Sequence, residues 1–389
     1  MSLISRNPQG RYRMHDLIRR YAVDTAHRSL PEQQQDTALR RLIDFYLHTA
    51  ANGDRLLNPP ARPLELAPPR PGCDPLSLSD EAAALTWFAA EHHCLLAAQH
   101  SAAALGMHQV TWQLAKTMTA FHYRGGHLHS NLTAWRTAAA AADESPDLVA
   151  RTVSHRFLGS ALSELGHHDQ AFDHFRTALE LARYTDDRTG QANAHRFLAS
   201  AYEQRGDDRQ ALGHATRALE LFQAIGSPTW EAIALNQVGW FTARLGDYDT
   251  AREYCTAALA VHRRHSGHRE CQAKTLDSLG YIAYHTGHHF EAVVHHQQAL
   301  ALLRGLRHTY AAASTLDRLG HSYLATRQHS QARTAWQEAL KLYRQQQRFD
   351  IAESIQRQLD SLGDSLSTTA TASTEVVPDD RTPNFIPRG

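Results

Sequence analysis

Large apolar and small residues recur through the middle of this chain with a period of forty or forty-one residues. Leu158, Leu198, Val238, Leu279 and Leu319 mark one position in five successive units, and Met118, forty residues before Leu158, adds a sixth. Whole segments repeat as well: HRFL at His155 to Leu158 returns at His195 to Leu198, and TLDSLG at Thr275 to Gly280 returns as TLDRLG at Thr315 to Gly320. Eight residues after each anchor stands Gly126, Gly166, Gly206, Gly246 or Gly287, with Arg327 in the last unit. Glycine there enters the left-handed conformation that closes a helix, so each unit is predicted to be two helices around a turn. The second helix carries Ala171, Ala211, Ala251, Ala292 and Ala332, and seven residues later Ala178, Ala218, Ala258, Ala299 and Ala339. Seven residues make about two helical turns, so both alanines share a face and let neighbouring helices approach closely. Phe175, Cys255 and Trp336 stand between them and can fill the space between helix pairs, whereas Ala215 and His296 break that pattern; a leucine follows at Leu179, Leu219, Leu259, Leu300 and Leu340.

Six such units are expected over residues 112–359. Upstream, 81–111 is helical in period, with Leu85, Phe88, Leu95 and Leu96 facing inward, and reads as a cap on the array. Pro59, Pro60, Pro63, Pro68, Pro69, Pro71 and Pro75 crowd the stretch 53–80, half of the chain's 14 prolines, which excludes a helix there and predicts a semi-rigid connector. An amphipathic helix is expected over 31–52. Residues 1–30 read as a strand, an Asn-Pro-Gln-Gly turn, a second strand, and a helix beginning near His15. The tail, 360–389, is rich in Ser, Thr, Asp and Pro and poor in large apolar groups, and is expected to be disordered.

The repeated positions resemble the tetratricopeptide repeat: an apolar then a small residue (Leu158-Gly159, Leu198-Ala199, Leu279-Gly280, Leu319-Gly320), a turn glycine, then Ala, aromatic and Ala. A unit of forty residues exceeds the usual about thirty-four and implies longer helices. The resemblance implies an all-α fold, a right-handed superhelical solenoid of helix pairs that binds a protein or peptide in its concave groove.

The N-terminal segment SLISRNPQGRYRMHDLIRRYA resembles the last hairpin and helix of the winged-helix subdomain in signal-transduction ATPases of the NB-ARC (STAND) type, particularly AfsR-like transcriptional regulators. Met14-His15-Asp16 matches that family's MHD motif, which implies a contact of His15 with the β-phosphate of ADP. The connector and the run Trp87 to Glu91 also resemble the segment joining winged helix to repeats. The pattern is incomplete. No GxxxxGK[ST] phosphate loop and no acidic magnesium-binding strand occurs, so ADP or ATP is expected only where an ATPase domain is supplied elsewhere.

Composition narrows the partners. Forty basic and 40 acidic residues give a formal net charge of zero, which argues against a global footprint for nucleic acid or anionic membrane. No window approaches a membrane span, and Cys73, Cys94, Cys255 and Cys271 form neither a CxxC pair nor a disulfide framework; a soluble, cytoplasmic chain is expected. Twenty-seven histidines raise the question of metal, but His167, His168, His288, His289 and His329 sit in intra-repeat turns where other units carry Asp207-Asp208 or Asp247-Tyr248. They read as interchangeable polar turn residues, and no metal is expected. No HExxH, GxSxG or GxGxxG occurs, and the chain is not expected to be an enzyme.

In the tetratricopeptide fold the first helix of each unit lines the groove, and the residue two before the anchor points into it. That column reads Lys116, Arg156, Arg196, Asn236, Asp277, Asp317, from basic to acidic. Asn193, Trp240, Lys274, Tyr281, Tyr284 and His321 stand nearby, a mixture suited to gripping an extended segment. The expected occupant is a protein segment with its acidic part against Arg156 and Arg196; the competing reading is a solvated charged face. Three functions fit: the sensor and scaffold part of an AfsR-like regulator, a free-standing adaptor or peptide receptor without nucleotide or DNA, and a regulator whose ATPase lies on another polypeptide. Direct DNA contact is not expected from this chain, which has no recognition helix or basic stripe.

Overall fold

A computed structural model describes residues 4–6, 12–59, 64–264 and 268–372 of the chain. Helices α1 (Asp16–Ser29), α2 (Glu32–Leu57) and α3 (Glu81–Ala104) precede six helix pairs. The pairs are α4 (His108–Gly125) with α5 (Leu128–Asp143), α6 (Leu148–Glu164) with α7 (His168–Tyr184), and α8 (Arg188–Gln204) with α9 (Asp208–Ile225). They continue as α10 (Pro228–Arg244) with α11 (Tyr248–Arg263), α12 (Arg269–His285) with α13 (His289–Gly305), and α14 (Thr309–Ala325) with α15 (His329–Gln345); α16 (Phe349–Ala372) follows.

The pairs begin where the sequence supplies caps. Asp147 accepts from the amides of Val149 and Ala150 at the start of α6, Asp187 from Gly190 in α8, and Asp247 from Thr250 in α11, each meeting an amide that the helix leaves without a partner. His167 and His288 hold the cap position of α7 and α13, the place Asp247 takes in α11. The turn glycines have positive φ, from 73° at Gly126 to 95° at Gly246, and Arg327 adopts the same conformation at 60°. The turns between pairs also use it, at Asp186, Arg307 and Gln347, which the intra-repeat glycine pattern did not disclose.

The chain divides into two compact units, Met1–Tyr123 with Leu128–Ile225, and Arg124–His127 with Gly226–Gly389. In the first, Ile43, Leu47, Phe88, Leu95, Leu114, Met118, Trp135, Leu158, Phe175 and Leu198 form one core, with Leu85 and Leu96 packed at its edge. In the second, Cys255, Leu259, Leu276 and Leu279 cluster, and Leu316, Leu319, Trp336, Leu340, Ile355 and Leu362 form a further core.

One rule of packing recurs inside the pairs. The small residue after each anchor faces the residue between the two alanines of the second helix. A β-carbon at Gly159 would stand 2.8 Å from the Phe175 ring, and one at Gly239 would stand 2.6 Å from Cys255 Sγ. Gly280 faces His296 and Gly320 faces Trp336 in the same way. Where the second helix carries only Ala215, the first carries Ala199. In α4 and α5 the position is Thr119, whose hydroxyl accepts from Trp135 Nε1 at 3.1 Å. His296 and Ala215 therefore obey the packing rule that they break in the sequence pattern.

Three expectations at the ends need correction. Strands Ile4–Arg6 and Tyr12–Met14 pair antiparallel, Ile4 opposite Met14, but a winged-helix remnant is not supported. Leu17 and Tyr21 of α1 are 68% and 71% exposed. The connector begins later than residue 53, because α2 runs to Leu57, and it is fastened to that helix rather than spacing it. The Arg70 amide donates to Asp44 (3.0 Å), the Leu76 amide to Thr49 Oγ1 (3.1 Å), and Asn52 Nδ2 to the Leu76 carbonyl (3.0 Å). Pro60 and Pro63 lie outside the described residues. The tail expected to be disordered from 360 is helical to Ala372, because Ile355 and Leu362 bury against α14 and α15; residues 373–389 lie outside the described residues.

Candidate functional site

The expected site residues fall on the first helices of the pairs, and each unit holds part of the set. In the first unit Lys116 lies on α4, Arg156 on α6, and Asn193 and Arg196 on α8, with α6 and α8 side by side. The Lys116 ammonium sits 3.3 Å from Asp54 of α2, so its charge is matched inside the chain. Asn193 donates to the Thr189 carbonyl of its own helix at 3.0 Å.

Arg156 and Arg196 stand in different surroundings. Trp135 stacks on Phe157 at 4.7 Å between ring centroids, and Phe157 meets Phe197 edge-on at 5.6 Å. The Arg156 guanidinium lies 5.1 Å from the Phe157 ring and 5.8 Å from Phe197, and Arg196 lies 4.5 Å from Phe197. Cation and ring face attract, which holds both guanidiniums on the aromatic row. Burial pulls Arg156 down to about 10, repulsion from Arg196 adds to this, and Asp187 opposes it. It remains a cation near neutral pH. Phe157 and Phe197 were not among the expected residues, although the repeated HRFL placed each of them directly after its arginine.

In the second unit Asn236 and Trp240 lie on α10, Lys274, Asp277, Tyr281 and Tyr284 on α12, and Asp317 and His321 on α14. Trp240 meets Tyr281 edge-on at 4.8 Å. Tyr284 lies 5.3 Å from His285 and 5.3 Å from His289. Lys274 pairs with Glu270 at 2.8 Å. Of the two acids at the end of the column, Asp277 pairs with Arg318 at 2.7 Å, and Asp317 lies 3.5 Å from His321, which carries a charge only when protonated. Burial raises the Asp317 carboxyl above its ordinary range, opposed by His321 and Arg318. At Lys116 and Asp277 the charge of the column is thus matched by a partner within the chain. Arg318, which also lies 5.2 Å from the Trp240 ring, was not expected, since its place one residue after the column carries no repeat signal.

His15 caps α1, where its Nδ1 accepts from the Leu17 amide at 3.4 Å. Among the described residues no three His, Cys, Asp or Glu side chains are grouped to hold a metal ion. No helix there is long and apolar enough to cross a membrane. Cys73, Cys94, Cys255 and Cys271 form no disulfide among the described residues.

A second feature was hidden in the sequence. His155 and His174 join α6 to α7 with Nδ1 atoms 2.9 Å apart, and His195 and His214 join α8 to α9 in the same register at 2.9 Å. Nε2 of His155 meets Asp143 at 3.0 Å. Burial lowers His195 to about 4, helped by His214, and burial also lowers His174 and His214.

Comparison with known proteins identifies the repeats. A tetratricopeptide repeat family model matches residues 148–224 and 230–305, and a second such model matches 312–345. Regulatory protein AfsR of Streptomyces griseus is 38% identical over 144 residues, 36% of this chain and 14% of that protein. The same-named protein of Streptomyces coelicolor is 39% identical over 107 residues, 25% of this chain and 10% of that protein. The chain therefore spans a small part of these relatives' length. Among solved structures, the APC/C hetero-tetramer Cut9-Hcn1 is 16% identical with a TM-score of 0.50, over 72% of this chain and 48% of that one, a likeness of fold alone. A Rap protein complexed with Competence and Sporulation Factor is 16% identical with a TM-score of 0.47, over 67% of this chain and 76% of that one.

Proposed function

We propose, for a chain whose residues 148–224, 230–305 and 312–345 are tetratricopeptide repeats, that it is the partner-binding part of a transcriptional regulator of the AfsR kind. The observation that carries this reading is the 38% identity to Regulatory protein AfsR over 144 residues. The physical case is that a stack of helix pairs buries one face of each helix and leaves the other as a continuous surface for a protein segment. Aromatic rings and charged groups gather on the first helices, which supports this reading. Catalysis plays no part in this reading, and nucleotide enters it only through an ATPase supplied elsewhere.

Deleting the gene and profiling transcripts, with complementation by the full chain, tests the regulatory role. A defined set of transcripts should change on deletion and return on complementation. An unchanged profile, together with a stable protein partner recovered by crosslinking in cells, would replace the regulator with a free-standing adaptor.

A further inference from the structure

Two imidazole pairs in the first unit stand where other repeats carry apolar groups. His155 and His195 hold the place three before the anchor, which Leu235, Leu276 and Leu316 hold in the repeats that follow. Leu276 and Leu316 are 1% exposed. The partners His174 and His214 fall where the last repeat carries Ala335 and the first Ala134, both buried. Leucine against alanine therefore packs this position on its own. The histidines bring a property that packing does not require, a charge that changes within the range of about pH 5 to 8.

The geometry lets each pair share one proton and not hold two. Nδ1 of His155 lies 2.9 Å from Nδ1 of His174, and the same atoms of His195 and His214 lie 2.9 Å apart. A neutral ring has one donor and one acceptor nitrogen, so a single proton between the two Nδ1 atoms makes the bond. When both rings are charged, every nitrogen is a donor and the two N–H groups point at each other. Ring centroids 5.1 Å apart in both pairs then carry like charges across a half-buried contact that salt screens little. The separation also suits a proton better than a metal. Two nitrogens on one tetrahedral zinc ion stand roughly 3.3 Å apart, and among the described residues no third ligand joins either pair.

Charged neighbours surround both pairs. Asp143 of α5 meets His155 Nε2 at 3.0 Å and is shared with Arg151 at 3.3 Å. Burial and His155 disfavour charge on His174, opposed by Asp143 and Asp173. On His195, burial, His214, Arg183 and Arg217 disfavour charge, opposed by Glu220. Tyr202 stacks on His214 at 5.2 Å.

We propose that the two pairs form a proton-operated lock: neutral, they hold α6 on α7 and α8 on α9, and doubly protonated, they let these helices part. Arg156 and Phe157 follow His155 directly, and Arg196 and Phe197 follow His195, so the aromatic row on the first helices moves with the lock.

Hydrogen–deuterium exchange of the full chain at pH ~7 and pH ~4.5, corrected for the intrinsic pH dependence of exchange and read by mass spectrometry, follows the lock helix by helix. Peptides from α6 to α9 should open at least roughly tenfold more often in acid. Two variants remove the response by different routes. His155→Leu/His174→Ala/His195→Leu/His214→Ala copies the packing of Leu316 and Ala335 and leaves nothing there to titrate. His174→Gln/His214→Gln keeps a hydrogen bond in either state, since an amide donates to a neutral ring and accepts from a charged one. Circular dichroism checks that each variant folds, and α6 to α9 of a folded variant should exchange alike at both pH values. His92 and His122, 2.9 Å apart between α3 and α4, are untouched in both, so any acid response there should persist. A native chain without the acid gain, or folded variants that keep it, would overturn the lock. Slower exchange of α6 to α9 on adding equimolar zinc at pH ~7, reversed by a chelator, would reassign the pairs to a metal.

Discussion

Gly159 of α6 lies so close to Phe175 of α7 that a β-carbon on it would stand 2.8 Å from ring carbon Cε1 and 3.0 Å from the Ala171 carbonyl oxygen. Two effects oppose each other in Gly159→Ala. Alanine gains about 1 kcal/mol of helix propensity over glycine, while the new methyl meets a fully buried ring and a rigid backbone oxygen. Overpacking of this kind costs about 1–3 kcal/mol, and the backbone contact places it at the upper end. Gly159→Ala should therefore lower stability by about 1–2 kcal/mol on balance, read from urea unfolding. A variant as stable as the native chain would show that α6 and α7 are not locked by this contact.

Arg327 performs the turn that glycine performs in the other units, at a φ of 60°. A side chain with a β-carbon strains in that conformation. Arg327→Gly should raise stability by about 0.5–1 kcal/mol, since relief of strain outweighs the extra freedom glycine gives the unfolded chain. Calorimetry should show a higher Tm, and a lower one would mean that the arginine side chain makes a contact worth more than the strain.

These two positions show what the sequence could and could not disclose. The repeat frame, the turn glycines and the departure at Arg327 were readable because each recurs at a fixed period, and the family matches fall inside that frame. Arg156, Arg196, Asp277 and Asp317 were readable as a column for the same reason. Their charge balance was not, because it depends on partners that share no period with them: Asp54 in α2 for Lys116, Arg318 in α14 for Asp277. The histidines of the pairs were visible only as residues in register, His155 with His195 and His174 with His214, each forty residues apart; that they meet across the helix pair was not. The N-terminal segment pointed to AfsR-like regulators, two of which the chain resembles, but a short motif such as Met14-His15-Asp16 did not disclose the exposure of Leu17 and Tyr21 on α1.

Arg156 should betray its purpose in stability measurements. If it were a structural residue, removing it would loosen α6 against α8. Its Nε is instead buried without a hydrogen-bond partner, and the rings of Phe157 and Phe197 return only part of what desolvation costs. Arg156→Met keeps the length and apolar contact of the side chain and removes the charge, so it should stabilise the free chain by about 1 kcal/mol. A fall in Tm would show that the cation and rings already satisfy one another.

Acid should destabilise the first unit through its histidine pairs. His195, buried against His214 near Arg183, Arg217 and Glu220, is lowered to about 4, and His174 and His214 are lowered as well. In the unfolded chain the same rings take up protons near pH ~6.5. Below that pH the unfolded state binds more protons than the folded state, so stability falls with pH until the folded rings themselves protonate near pH 4. Above pH ~6.5 both states hold neutral rings, and this contribution stops changing. Allowing for solvent screening, His195 should account for a loss of about 2 kcal/mol between pH ~7 and pH ~4. Urea unfolding across that range should show the decline, and His195→Gln/His214→Gln should flatten it. Native chain and double variant losing stability in parallel would assign the acid sensitivity to other groups.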